Sequence, residues 1–391
     1  MNDDTRSSVI PAFSTERAWR AIKSELHAAL DRVLETGQAI LGNEVHAFEL
    51  EFADFTGTQH AISTASGTDA LIIAMKACGV GYGDEVITVA NGPVPIASAV
   101  RALGAIPVFH DIDSQTWQIR AETLVDSISP RTRCILVVHL YGWHAPVEAI
   151  VESVRGLGIS VVEDFAHAHG MQRCAAGAKP EPIGLQGDVG CYSFYPTKNL
   201  GAVGDGGACV TDSADRAALL RAIARYGFRD SQRIAHVDGI NSRLDELQAA
   251  FLRVRLSRLE ADVRRRREIA DRYRRELSGC GLQMPFVSDG ALPAWHLFPV
   301  RTAQREDWLR MLEERGIHCG IHYAHPLHLM PAFAASTADA RNKRSLRLRS
   351  LPDTEAACRE VFSLPLFTEL LDAEVSRVID AVRATSSLLV Q

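Results

Sequence analysis

Between Ser66 and Asp212 the chain alternates short apolar runs with helix-length amphipathic stretches, and this alternation constrains the fold more than any other feature. Strands are expected over 85–90, 106–111, 133–140, 160–165, 190–194 and 208–212. Helices are expected from Gly67-Thr68 to Gly79, over 95–103, near 121–128 and over 147–157. Strands that alternate with helices predict an α/β fold with a mostly parallel sheet covered on both faces. The runs Cys134-Ile-Leu-Val-Val138 and Ile159-Ser-Val-Val162 lack polar alternation, as strands buried on both sides should. Ligands of such sheets bind beyond the carboxyl ends of the strands. The chemistry should therefore lie just after these runs.

Two stretches meet that condition, and a helix start joins them. In Glu163-Asp-Phe-Ala-His-Ala-His-Gly170, Asp164 ends an apolar strand and places a carboxylate at the carboxyl edge. Thirty-four residues on, Lys198 follows the aromatic run Tyr192-Ser-Phe-Tyr195 and precedes four glycines, Gly201, Gly204, Gly206 and Gly207. An amine on so constrained a loop can form a Schiff base with a carbonyl if part of it is unprotonated. The helix opened by Ser66-Gly-Thr-Asp-Ala70 presents free backbone N–H groups, a hydroxyl and the positive end of its dipole, all suited to a phosphate. Each has an ordinary reading by itself: a lysine in a surface turn, a strand-end carboxylate, a capped helix. Together they supply what a pyridoxal phosphate (PLP) enzyme needs, namely a lysine, an acidic partner for the pyridine nitrogen and a phosphate cradle.

With Gly83-Asp-Glu-Val-Ile87, Pro107-Val-Phe-His-Asp-Ile-Asp113, His139-Leu-Tyr-Gly142, Ser193-Phe-Tyr-Pro-Thr-Lys-Asn-Leu-Gly-Ala202 and Ile240-Asn-Ser-Arg-Leu-Asp-Glu-Leu-Gln-Ala249, these stretches make the chain resemble the DegT/DnrJ/EryC1/StrS family over nearly its full length. That resemblance implies a fold type I PLP-dependent aminotransferase acting on nucleotide-linked keto-sugars. Carried over residue by residue, it makes Lys198 the Schiff-base lysine and Asp164 the partner of the pyridine nitrogen. Gly67, Thr68 and Ser193 would hold the cofactor phosphate, and His167 fills a position where the family has Gln or His against the cofactor. His169 reads as structural. Asn241 corresponds to a residue that reaches the phosphate of the neighbouring subunit, implying a homodimer with shared sites. One departure stands out: where many relatives carry an aromatic over the cofactor ring, this chain has Asn91-Gly-Pro-Val-Pro95. The implied reaction moves an amino group from L-glutamate, through the pyridoxamine form (PMP), to a dTDP- or UDP-linked keto-deoxyhexose, and the lysine motif favours 3-keto over 4-keto sugars. Two alternatives are a PLP-dependent sugar dehydratase, whose relatives replace the lysine with histidine, and a PLP-binding regulatory protein without turnover. Retention of Lys198 and Asp164 argues against both.

Flanking the alternating region, 10–34 and 42–55 have helical periods. A helix capped by Ser242, with Asp245 three residues on, is expected to run through the arginine-rich 264–267 to about 277. Its acidic residues interleave with the arginines, which suggests a solvated, salt-bridged connection. Beyond it, strands are expected over 296–301 and 319–323, and helices over 305–315 and 372–388. The resulting division is 1–250 for the large PLP-binding domain, 251–280 for the connecting helix and 281–391 for a small C-terminal α+β domain. A net charge of −6 on 391 residues argues against nucleic acid or membrane surfaces as partners. The polar N-terminus and the lack of a long apolar run point to a cytoplasmic protein. Eight cysteines without a Cys-x-x-Cys pattern suggest free thiols. His322, His325 and His328 enclose Pro326 and lack an acidic neighbour, so no metal is expected there.

Overall fold

The computed structural model describes residues 9–174, 179–334 and 350–389. Its strands are β1 (His60–Thr64), β2 (Glu85–Val89), β3 (Ile106–His110), β4 (Thr132–Val138), β5 (Ser160–Asp164), β6 (Gln172–Arg173), β7 (Glu181–Pro182), β8 (Val189–Ser193), β9 (Gly207–Thr211), β10 (Ala291–Leu292), β11 (Phe298–Arg301) and β12 (Val361–Leu364). Seven of them form one sheet in the order β1-β9-β8-β5-β4-β2-β3. The five from β8 to β3 run parallel, and β9 is antiparallel to both its neighbours, β8 and β1. All five residues of β2 are buried, Glu85 and Thr88 included. The remaining strands make a small ribbon, β10-β6-β7, and the antiparallel pair β11-β12.

The helices are α1 (Thr15–Ala21), α2 (Lys23–Thr36), α3 (Asn43–Thr56), α4 (Gly67–Ala77), α5 (Pro95–Ala102), α6 (Val147–Ser153), α7 (Ala214–Ile223), α8 (Glu246–Leu256), α9 (Leu259–Glu276), α10 (Arg305–Glu313), α11 (Pro331–Ala334), α12 (Pro352–Glu360) and α13 (Asp372–Leu389). Successive strand residues face opposite ways, so β8 and β9 feed two cores. Val189 and Cys191 pack with α4, and Cys209 with α4 and α7. Tyr192, Ala208 and Val210 join Phe48 and Phe52 of α3 and Leu252 of α8 on the other face. None of the helices among the described residues is long and apolar enough to cross a membrane.

Several expectations need correction. The stretch 121–128 forms only a single 3-10 turn, Leu124–Ser127, because Leu124 is its one buried side chain and no apolar stripe supports a longer helix. Asp245, rather than Ser242, caps α8 by accepting from the Gln248 N–H; the Ser242 hydroxyl is committed elsewhere. The long arginine-rich helix is two helices, since helical structure is interrupted at Ser257 and Arg258. Within it, Arg266 is buried and Arg267 half-buried. Arg266 donates to the carbonyls of Trp295, His296 and Leu366, and Arg267 to those of Gly170, Leu292 and Pro293. The expected strand over 319–323 reduces to one bridge, Gly320 to Ser363. Strands β1 and β12 carry no clear period; each is fixed by its partner strand.

Candidate active site

The site is built where β5, β8 and α4 end or begin. In the sheet, Asp164 is flanked by Val138 of β4 and Cys191 of β8, so its carboxylate emerges at the carboxyl edge. Its neighbour Glu163 faces the other way and is held by the main-chain N–H groups of Gln186 (2.8 Å) and Gly187 (2.6 Å). His139 accepts from the Ala145 N–H at Nδ1 (3.1 Å), which leaves Nε2–H to donate to Glu163 Oε2 (2.9 Å). The His139 main-chain N–H donates to the Asp164 carbonyl, so this buried network also fixes the strand end. Asp164 Oδ1 accepts from the Ala166 N–H at 2.9 Å. Burial raises the pKa of the carboxyl, against that hydrogen bond and the nearby charge of Lys198.

Lys198 lies on a turn closed by its own N–H to the Tyr195 carbonyl (2.8 Å) and by the Ala202 N–H to the Phe194 carbonyl (2.7 Å). A Cβ at Gly201 would stand 2.5 Å from the Pro196 carbonyl oxygen, so the tight return needs glycine. The amine is ringed by protein although the residue keeps partial access to solvent. Burial lowers its pKa to about 8, and Asp164 opposes the shift. Proximity of these two groups is what the spacing of their motifs suggested.

Helix α4 begins with Ser66 as its N-cap, accepting from the Asp69 N–H at 3.1 Å. The first helical N–H groups, those of Gly67 and Thr68, have no partner within the helix. A Cβ on Gly67 would fall 2.4 Å from the Ser193 Cβ and 2.8 Å from its Oγ. Only glycine there lets the end of β8 bring a hydroxyl against the helix start. A small anionic group fits this cradle: two backbone donors, one hydroxyl and a helix dipole converge on it, beside the lysine and the carboxylate that PLP requires. The donor set of the chain therefore suits the cofactor.

His167 accepts from the Tyr141 N–H at Nδ1 (3.2 Å), which places its proton on Nε2. Burial and the charge of Lys198 keep it neutral, with a pKa well below the usual histidine value. His169 is fully buried against Tyr192 and Phe194 and is held down to about 3, consistent with a structural role. Asn241 is exposed, and its backbone bridges to Arg225. The adjacent Ser242 accepts from the Ala65 N–H (3.0 Å) and donates to Asp69 Oδ2 (2.7 Å), tying this segment to the start of α4.

The Asn91-Gly92-Pro93 turn follows β2 at the same edge of the sheet. A Cβ at Gly92 would lie 2.4 Å from Ile96 Cδ1, and Asn91 donates to the Trp117 carbonyl (3.0 Å). The Leu327 N–H donates to the Ala90 carbonyl (2.8 Å), docking the loop around 322–329 on this edge. His322 of that loop is held to about 4 by burial and by Lys198, and Tyr323 is pushed up by burial and by Asp164. Sequence reasoning missed this loop, together with Asn199 and His296. Only tertiary crossing from the C-terminal region brings His296 and the loop close, and Asn199 carried no signal besides its place after the lysine. His322 bonds Ser363 and His328 bonds Glu355, so the histidine triplet does not converge. No metal-ligand cluster occurs among the described residues.

Comparison with known proteins identifies the family. The model of the DegT/DnrJ/EryC1/StrS aminotransferase family matches residues 20–383. A dTDP-3-amino-3,4,6-trideoxy-alpha-D-glucose transaminase from Streptomyces venezuelae is 39% identical, the match covering 98% of each chain. A UDP-2-acetamido-2-deoxy-3-oxo-D-glucuronate aminotransferase from Pseudomonas aeruginosa is 38% identical over 92% of this chain and 96% of its own. Among solved structures, S. venezuelae DesV in complex with a ketimine intermediate superposes with a TM-score of 0.90, at 39% identity over 97% of this chain and 99% of that one.

Proposed function

Since the chain belongs to the DegT/DnrJ/EryC1/StrS aminotransferase family and is a PLP-dependent aminotransferase, we propose that it moves the amino group of L-glutamate to a dTDP- or UDP-linked 3-keto-deoxyhexose, working as a homodimer. The observation that carries the chemistry is the pairing of a buried amine, Lys198, held near neutral pKa, with the buried carboxylate of Asp164 at one sheet edge. The sugar follows from the relatives, which are named for a 3-amino and a 3-oxo sugar.

When bound, pyridoxal phosphate supplies a ring that takes up the electron pair left as the donor loses its α-proton. Gly67 N–H, Thr68 N–H and Ser193 Oγ bind the phosphate and thereby orient the cofactor. Asp164 offers a carboxylate that stabilises positive charge at the pyridine nitrogen, and the Ala166 N–H keeps it aimed. Lys198 takes and returns the proton: with its pKa lowered to about 8, about a tenth of the amine is free at pH 7, where an ordinary lysine has almost none. His167, with Nδ1 occupied by Tyr141, presents an N–H donor at Nε2. The exposed Asn241 suits a role in a second protomer's cradle, which supports the homodimer with shared sites.

The test is a panel of dTDP- and UDP-linked 3-keto and 4-keto sugars incubated with enzyme and L-glutamate, with products read by mass spectrometry. The proposal expects an amino sugar from 3-keto substrates and none from the folded Lys198→Ala variant. Products from 4-keto sugars alone would reject the regiochemistry, and full activity of Lys198→Ala would reject the assignment of the lysine.

A further inference from the structure

Residues 294–296 cross from the C-terminal region to the active site and touch it on two sides. The Ala294 N–H donates to the Gly142 carbonyl (2.9 Å) and the His296 N–H to the Tyr141 carbonyl (3.0 Å). Tyr141 in turn orients His167 through its own N–H, and the rings of His167 and His296 lie 4.4 Å apart. The approach is so close that a Cβ on Gly142 would stand 2.7 Å from the His167 carbonyl oxygen and 3.0 Å from the Trp295 nitrogen. On the other side lies Asn199, next to Lys198 and only 2% exposed. Its Nδ2 donates to the Ala294 carbonyl (2.8 Å), and its Oδ1 accepts from His296 Nδ1 (3.4 Å). Its own carbonyl accepts from Arg255 of α8 (3.4 Å), while Arg266 of α9 bonds the carbonyls of Trp295 and His296.

We propose that Asn199 and His296 are positioning residues that strap the Lys198 turn to segment 294–296, so that this segment sets both the depth of the lysine amine and the placement of His167. This rests on the reading of Lys198 as the reacting amine. Asn199 has both ends of its amide committed, one to the main chain of the strap and one to the His296 ring. Among the described residues, no other hydrogen bond joins the Asn199 side chain to the strap. Without these bonds the turn keeps its local hydrogen bonds, Lys198 to Tyr195 and Ala202 to Phe194, and the long contact of Arg255 to the Asn199 carbonyl, none of which ties it to segment 294–296. The charged and titratable groups facing the amine are Asp164, His167, His169, His296 and His322. All four histidines are kept neutral by burial, which leaves Asp164 as the one group that favours the protonated amine. A turn that loosens gains water, and its amine returns toward ordinary behaviour.

The experiment uses cofactor-free full-length protein and the pH dependence of reductive methylation at Lys198, followed by peptide mass spectrometry. Wild type should have its midpoint near 8. Asn199→Ala and His296→Ala should each raise it by about one pH unit, about a tenfold loss of free amine at a fixed pH below the midpoint. His296→Asn, which keeps an N–H donor toward Asn199, should restore the wild-type midpoint. In the loaded enzyme kcat should fall about tenfold, with KM for the sugar nucleotide within about twofold. If Asn199→Ala does not fold, His296→Ala decides, because it retains every main-chain bond of the strap. A folded His296→Ala protein whose midpoint stays near 8 overturns the proposal. Loss of catalysis by Lys198→Ala alone bears on the function and leaves the strap to be judged by the methylation midpoint.

Discussion

Lys198 and Asp164 define the chemistry, and their environments make opposite demands on protons. The lysine has an ordinary value of 10.5 unfolded and about 8 folded. Between those values the unfolded chain binds more protons, so stability of the cofactor-free protein rises with pH across that window. Below pH 8 the full cost of burying the charge is present. Lys198→Met should therefore stabilise the cofactor-free protein at pH 7 by about 2 kcal/mol, allowing for partial solvent access, and the gain should vanish above roughly pH 10.5. Urea denaturation at pH 7 and pH 10.5 checks this; an equal gain at both values would mean that packing, and not charge, is responsible. For Asp164→Asn, a neutral amide cannot balance a pyridinium, and the half-reaction with glutamate should slow by at least about tenfold. An unchanged rate would remove Asp164 from its role.

Among the elements, the contact between the start of α4 and the end of β8 has no slack. Gly67→Ala places a methyl 2.4 Å from the Ser193 Cβ. Its expected result is a loss of cofactor affinity of at least about tenfold, measured by equilibrium dialysis, and unaltered affinity would show that the cradle lies elsewhere. A second element-scale device is Glu246, the first residue of α8, whose carboxylate accepts from the N–H groups of Gly42, Glu44 and Val45 and so caps α3 from across the sequence. Glu246→Ala should lower stability by about 2 kcal/mol, read as a drop in Tm, because three N–H donors, that of Val45 fully buried, lose their acceptor. Sequence text revealed the strands that are mostly apolar, such as β2 and β4, and the motif residues that end β5 or follow β8. It did not reveal β1, whose His60, Ser63 and Thr64 dilute the signal and whose place is set by pairing with β9. Nor did it separate α8 from α9, since charge and period continue through Ser257 while the backbone does not. Asp245 and Ser242 are both good capping residues, and only the bond from Ser242 to Asp69 shows which one is otherwise engaged.

At the scale of the whole molecule, the site collects residues from 67 to 322, so no segment alone could contain it. The features lost to sequence reading, Asn199, His296 and the loop carrying His322 and Tyr323, are those supplied by the C-terminal crossing or directed at it. Their signal is tertiary: His296 sits in an apolar run like any buried polar residue until Asn199 and His167 are seen beside it. For the proposed homodimer, mixing a Lys198→Ala protomer with an Asn241→Ala protomer should partly restore activity, because one site of the mixed dimer receives both defects and the other neither. No recovery despite subunit exchange would assign each site to a single chain. The central claim, that Lys198 carries the cofactor, has a direct test. The chain has five lysines, at 23, 76, 179, 198 and 343, so borohydride reduction of the PLP-loaded protein, digestion and peptide mass spectrometry give an unambiguous answer. The account predicts the cofactor mass on the peptide containing Lys198 and on no other; cofactor found on another lysine, or on none in a protein that still binds PLP, would contradict it.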